Sequence, residues 1–208
     1  MDFKNKNILI TAGPTWVAID QVRLISNAAS GQTGCSLADK LSSKGAKVTL
    51  LLGPSEVGNL NKEIKVIRFK FFDEFRNIFI KELKSKKYKT VIHTAAVSDY
   101  RPAVVSKGKI KSGKSIWSLK LIPTEKLINC VKKIDKEVKL IGFKFESGLT
   151  DKELIKKSRD LIKISGSDLV VANTQKISGY RAYLVEKSAV SEVILSKSNL
   201  INKLINKI

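Results

Sequence analysis

The chain has 208 residues, 43% of them hydrophobic, and 39 lysines and arginines against 19 acids, a formal charge of +20. That is enough apolar material for one α/β domain with a real core, and it excludes a disordered chain. No apolar run reaches bilayer length, and one histidine with two distant cysteines excludes a cysteine–histidine metal set. The charge invites nucleic acid as a partner. Only six of the basic residues are arginine, however, and the lysines are spread along the whole chain, so a solvated lysine-rich surface is the expectation.

In chain order, residues 7–11 (NILIT) read as a short buried strand. The N-terminal apolar stretch is too short for a secretory signal and runs into Gly-Pro-Thr, which reads as the first strand of a cytoplasmic protein. Residues 36–43 predict a helix with Leu37, Ala38 and Leu41 on one face, closed by Gly45. Residues 47–52 (KVTLLL) and 63–69 (EIKVIRF) predict the next two strands. A helix from Phe72 through Lys86 follows, with Asp73 as N-cap and Phe75, Ile78, Phe79 and Leu83 as its apolar stripe. Phe69, Phe71, Phe72, Phe75 and Phe79 are all assigned to the core, and Cys35 and Cys130 are read as buried reduced thiols. Residues 90–95 (TVIHTA) predict a fourth strand.

Residues 101–115 (RPAVVSKGKIKSGKS) differ in kind, being polar, lysine-rich and broken by proline and glycine. Beyond them, 117–121 predict an exposed strand, 124–133 a helix, 139–145 a strand, 151–164 a helix and 168–172 a strand ending at Asn173. The tail predicts a hairpin of 180–186 and 192–195 turning at Lys187-Ser188, then a helix over 199–208. Strands alternating with helices, several of them continuous apolar runs, define an α/β fold: a doubly wound, mostly parallel, Rossmann-like sheet with helices on both faces and a C-terminal β-hairpin extension. Ligands of such sheets sit at the carboxyl ends of the strands.

The first strand is followed by Gly13, Pro14 and Thr15, either a plain turn or a close backbone approach to an anion with a hydroxyl beside it. The Walker lysine and the GxGxxG glycines are both absent. The connection to the next helix, containing RLISNAASGQTG, is far longer than the few residues usual in such units. Its Ser30, Gly31, Thr33 and Gly34 bring free N–H groups to a helix start, where anions are favoured. Arg23 is able to fork onto a phosphate or carboxylate, and Asn27 is a neutral donor and acceptor or the pivot of an Asx-turn. After the fourth strand, small residues up to Ala96 leave room for a flat ligand, and Asp99 is a carboxylate at the mouth of the sheet or a surface helix cap. Lys107, Lys109 and Lys111 form either a cationic flap or a solvated charge run. A nicotinamide-dependent oxidoreductase on this fold requires an acid closing the second strand, and that strand ends LLLGPS.

Taken in order, TAGPT, ID-VR-ISN--SG-TG, AAVSDYRP, KIK, IGFKFES and DLVVAN resemble the phosphopantothenate–cysteine ligases, and the resemblance spans about 7–208. It implies a single domain of the monofunctional bacterial form, with a flap over 101–116 and a homodimer whose interface strands lie in 180–196. The implied reaction uses CTP, with ATP as the alternative, and Mg²⁺ held mainly by the triphosphate. An acyl-cytidylate of 4′-phosphopantothenate forms and the amine of L-cysteine displaces CMP, with neither nucleic acid nor membrane as partner. The resemblance makes Asn27 and Lys109 catalytic, Asn27 holding the activated carboxyl group and Lys109 reaching the intermediate from the flap. It assigns the substrate to Arg23, Asn27, Ser30, Gly31 and Ala96, with Arg23 on the phosphate across the dimer interface. The nucleotide falls to Gly13, Thr15, Ala96, Asp99 and Lys109, to the turn Glu125, Lys126, Leu127 and Ile128, and to Phe143. The sequence departs from the pattern at Leu161 and Ser165, where the family carries two lysines; Lys157 and Lys163 are the candidates to replace them.

Overall fold

The computed structural model describes residues 3–56, 58–113, 115–177 and 179–208. The elements are β1 (Asn7–Ala12), β2 (Trp16–Ala18), β3 (Leu24–Ser26), α1 (Gln32–Ser42), β4 (Lys47–Leu52), β5 (Lys65–Arg68), α2 (Phe72–Lys84) and β6 (Thr90–His93). There follow β7 (Tyr100–Pro102), β8 (Leu121–Pro123), α3 (Ile128–Ile134), β9 (Lys139–Phe145), α4 (Asp151–Ser165), β10 (Leu169–Lys176), β11 (Gly179–Val185) and α5 (Lys197–Ile205). Seven strands form one sheet in the order β11-β10-β9-β6-β1-β4-β5, parallel throughout except for β11.

The two-residue period of the strands distributes side chains to both faces. In β1, Ile8, Ile10 and Ala12 join Leu37 and Leu41 of α1 and Leu200 and Leu204 of α5 in one core layer. Leu9 between them points the other way, into a layer with Phe75 and Phe79 of α2 and Val131 of α3. A third cluster seats Leu154 and Ile162 of α4 on Val170 and Ala172 of β10. Truncating a ring as fully buried as that of Phe75 costs about 3–5 kcal/mol, so either layer alone is a large share of the stability. The doubly wound architecture is therefore the observed one. No helix among the described residues is long and apolar enough to cross a membrane.

Several local expectations need correction. The long first connection is not irregular: β2 and β3 pair antiparallel, Trp16 opposite Ser26, because Asp20 caps the turn between them by accepting from the Val22 and Arg23 N–H groups. Helix α1 starts four residues earlier than the apolar pattern indicates, directly at Gly31. Asp73 is not the cap of α2; it lies in the first turn, and Glu74 accepts from Lys70 and Phe71 N–H instead. Phe71 is exposed, lying edge-on to Trp16. Residues 117–120 are not strand; the strand is β8, which pairs antiparallel with β7. Residues 124–127 stay out of α3: Thr124 N–H is bonded to the Asp99 carbonyl, and the chain turns only at Leu127, the N-cap.

The tail differs most. Its antiparallel hairpin joins β10 to β11, and residues 192–195 return only as the isolated bridge of Ile194 with Ala182. Ile194 and most of β11 are buried within the chain, while Val193 and Leu195 of the same segment are exposed. Of the flap, Lys114 lies outside the described residues. Both cysteines are free thiols; Cys35 is buried, whereas Cys130 is only partly covered and donates to Glu125.

Candidate active site

The chain runs from β1 to β4 and β5 on one side, then crosses back to β6 on the other, so the crevice between the ends of β1 and β6 is the switch point of the sheet. There the two strands stay paired beyond their ends. Ala96 N–H donates to Gly13 O at 3.0 Å and Thr15 N–H to Ala96 O at 3.3 Å. Thr15 is fully buried, and its hydroxyl accepts from the Ser98 N–H at 2.9 Å and meets Ser98 Oγ at 3.0 Å. Thr15 thus locks the two loops together. Gly13, at φ 79°, packs on the Gly53 backbone, 3.2 Å from where a Cβ would stand, and its backbone lies beside Gly31 at the helix start.

Helix α1 reaches the same crevice. Gly31, at φ 71°, is its left-handed N-cap, and no side chain caps it. Ser30 Oγ accepts weakly from Gln32 N–H at 3.4 Å. Gly34 lets the helix press in: a Cβ there would stand 2.6 Å from Ala12 Cβ and Thr94 Oγ1. The positive end of the α1 dipole is thereby brought to the end of β1, a suitable seat for an anion.

On the other side of β6 lies a cleft of about 520 Å³. Ala96, Asp99, Glu125, Lys126, Leu127, Ile128 and Phe143 all line it, drawn from the loop after β6, the start of α3 and the end of β9. Asp99 carries an ion pair with Lys126. Glu125 is held by Arg76 at 2.7 Å, which with the Cys130 thiol keeps its carboxyl below the usual range. His93 also reaches the cleft wall; buried and stacked on Phe75 and Phe79, it is pushed down to about 4 and stays neutral. Thr11 Oγ1 accepts from Ala95 N–H at 3.2 Å and lies 3.0 Å from His93 Nδ1, which ties the ring to the end of β1.

Sequence reasoning offered Lys157 for this wall but missed Lys144 and Glu146. Lys144 and Lys157 both line the cleft and converge on Glu146, at 2.9 and 3.2 Å, and these contacts, Lys144 first, lower the Glu146 carboxyl. Lys157 sits one turn before Leu161 on the cleft-facing side of α4, whereas Lys163 lines a different hollow with Arg159 and Lys187. Ser165 is buried, donating to Leu161 O, and does not reach the cleft. Glu146 stands within the quoted IGFKFES; no signal in the sequence ties it to Lys157, since the pair meets only through folding.

Asn27 joins the long loop to the cleft. Its exposed amide donates to Ala96 O at 3.1 Å and Val97 O at 3.3 Å, on the wall that continues to Asp99. Arg23 and Lys109 lie elsewhere. Arg23 is bound to Asp20 and to the Ile110 carbonyl, and Lys109 is an exposed residue of that same flap, outside the cleft lining. The structure thus brings Asn27 and the turn of Glu125 to Ile128 to one wall and leaves Lys109 outside it.

A doubly wound sheet with an uncapped helix start at its switch point, and a mixed-charge cleft beside it, has its open surfaces at the strand ends where folds of this class bind ligands. The chain belongs to the family of the DNA/pantothenate metabolism flavoprotein C-terminal domain, whose model matches residues 3–206. It is 41% identical over 202 residues to the coenzyme A biosynthesis bifunctional protein CoaBC of Thermococcus kodakarensis, covering 97% of this chain and 47% of that protein. It is 31% identical to the protein of the same name from Borreliella burgdorferi, covering 99% and 52%. The chain thus spans about half the length of these curated relatives. Among solved structures it is similar to the DNA/pantothenate metabolism flavoprotein from Streptococcus pneumoniae, with a TM-score of 0.87, 26% identity and 97% of both chains covered.

Proposed function

We propose that the protein is a phosphopantothenate–cysteine ligase. One carboxylate oxygen of 4′-phosphopantothenate attacks the α-phosphorus of a nucleoside triphosphate, and pyrophosphate leaves. The amine of L-cysteine then attacks the acyl carbon of the mixed anhydride and loses a proton, and the nucleoside monophosphate departs with the former carboxylate oxygen. A free carboxylate acylates amines poorly, so the work of the site is to hold two anions together and screen their charge. The observation that carries the reading is the shared wall. Asn27, from the loop proposed to take the acid, is bonded to Ala96 and Val97, and the same segment lines the cleft with Asp99 and Phe143. Relatives named for coenzyme A biosynthesis support the same substrates.

In this reading Phe143 takes the base, Lys126, Lys144 and Lys157 the triphosphate, and the α1 start, Ser30 and Gly31 the acid substrate, with Arg23 meeting its phosphate across the proposed dimer interface. CTP is the proposed nucleotide, with ATP as its rival. Mg²⁺ takes few protein carboxylates and several phosphate oxygens, a demand that Asp99 beside a triphosphate meets; the ion would screen the phosphate charge. A cytoplasmic location accords with the two free thiols. A homodimer belongs to the same reading. Its support lies less in the tail than in the exposed Val104, Val105, Ile116 and Leu121 around the flap and β8, and sedimentation tests it. The direct experiment is pyrophosphate release with CTP and ATP in parallel. Release that requires both phosphopantothenate and Mg²⁺ is expected; binding of NADH in place of either nucleotide would favour an oxidoreductase.

A further inference from the structure

The proposed reaction gives the buried carboxylate of Asp20 no task. Asp20 is 4% exposed, with its side chain fully covered. Its Oδ1 accepts from Val22 N–H at 2.8 Å and Arg23 N–H at 2.7 Å. Its Oδ2 accepts from Arg23 Nη1 at 3.3 Å and, 90 residues along the chain, from Ile110 N–H at 3.1 Å. The Ile110 N–H, more than any other donor, holds this carboxyl below the usual range. Arg23 completes the arrangement: Nη2 donates to Ile110 O at 3.0 Å, and the guanidinium lies 5.1 Å over the Trp117 ring. Ser106 N–H adds a bond to Ile19 O at 3.0 Å.

Ile110 is therefore held at both its amide and its carbonyl by two residues of the β2–β3 turn, one anionic and one cationic. It is the middle residue of Lys109-Ile110-Lys111. Bonds to ionised partners are the strong class, and this pair is sheltered, so the flap is tied to the turn rather than resting on it. We propose that Asp20 is a positioning residue, whose clamp on Ile110 fixes where Lys109 stands and couples the flap to the Arg23–Asn27 loop. The proposal rests on the ligase reading for its effect on turnover, but the clamp itself is independent of any substrate.

The chain has two tryptophans, so Trp16→Phe leaves Trp117 as the sole reporter of the flap. In that background Asp20→Asn keeps the shape but puts an NH₂ group where an acceptor is needed. Expected are a red shift of Trp117 emission, faster proteolysis between Val104 and Ile116, and kcat lowered about tenfold with nucleotide KM changed less than about threefold. Ile110→Pro, which deletes the clamped N–H from the flap side, should reproduce all three; it serves as the deciding variant if Asp20→Asn does not fold. Unchanged emission and cleavage in the folded variants would overturn the clamp. A released flap with unchanged kcat would overturn the positioning role. No pyrophosphate release from the parent protein would overturn the reaction and the positioning role with it, while emission and cleavage still judge the clamp.

Discussion

The Asn27 side-chain amide donates to two successive carbonyls, Ala96 O at 3.1 Å and Val97 O at 3.3 Å, 69 and 70 residues away. Both N–H bonds are thereby engaged and Oδ1 is an acceptor only, so holding a carboxyl oxygen requires the amide to release one of these carbonyls. Asn27→Asp would set a charged oxygen against both carbonyls and bring a negative charge to an acid substrate. The fold should survive, since the residue is exposed. The cysteine-dependent half should fail: one equivalent of pyrophosphate released, with turnover to the amide product strongly reduced. Full turnover in this variant would refute the role given to Asn27.

Lys157 and Lys163 lie on the same helix but on different faces, and only Lys157 reaches the cleft. Lys157→Ala should raise the nucleotide KM by about tenfold. Its ion pair is half-exposed, so stability should change by less than about 1 kcal/mol. Lys163→Ala should leave the KM unchanged. Steady-state kinetics with thermal melts separates the two outcomes, and equal effects of both variants would argue for a general field of the lysine-rich surface.

Lys109→Ala makes a related but distinct case. The residue is exposed on the flap and makes no cleft contact in this structure. Weakened use of the triphosphate with an unchanged melting temperature is expected. A large drop in melting temperature would mark Lys109 as structural.

Gly34→Ala tests the approach of α1 to the end of β1. Its new Cβ would stand 2.6 Å from Ala12 Cβ and Thr94 Oγ1, so the helix must retreat. Overpacking of this kind costs about 1–3 kcal/mol. Loss of affinity for the phosphorylated acid should accompany it, because the helix start moves with the backbone. Denaturant melts and substrate titration check both; a stable variant with weakened affinity would locate the effect in the anion seat alone.

His93 predicts a pH dependence. Its folded value of about 4 lies below the ordinary 6.5, so the unfolded chain takes up the proton first. The contribution is complete above about 6.5 and is lost as pH falls from there to about 4, amounting to about 3 kcal/mol. His93→Gln, which keeps a partner for Thr11, should flatten that part of the stability profile measured by urea melts. An identical slope in the variant would assign it to carboxylates.

The central sheet was legible because apolar runs such as NILIT, KVTLLL and KLIGFKF are long enough to read. The two small hairpins were not: β2, β3, β7 and β8 have three residues each and are set by the Asp20 turn and by pairing across a flap. In the site, Asp99 could be read as a residue after a strand, whereas Lys126 and Phe143, inside a predicted helix and a predicted strand, were marked only by the family resemblance. The burial of Thr15 was not legible because its partner, Ser98, is 83 residues away, and a buried hydroxyl looks like an exposed one in sequence. Glu146 and Lys157 were invisible as a pair for the same reason, since separate elements bring them together. Asp20 was hidden beside the more conspicuous Arg23, and only the structure shows that its carboxylate reaches Ile110.

The claim that the cleft activates a carboxylate as an acyl nucleotide is tested most directly by oxygen tracing. Phosphopantothenate labelled with ¹⁸O in its carboxyl group would be turned over with CTP and L-cysteine, and the released nucleotide weighed by mass spectrometry. One ¹⁸O in CMP is the predicted result. Label appearing in inorganic phosphate, or amide product formed with unlabelled CMP, would contradict it.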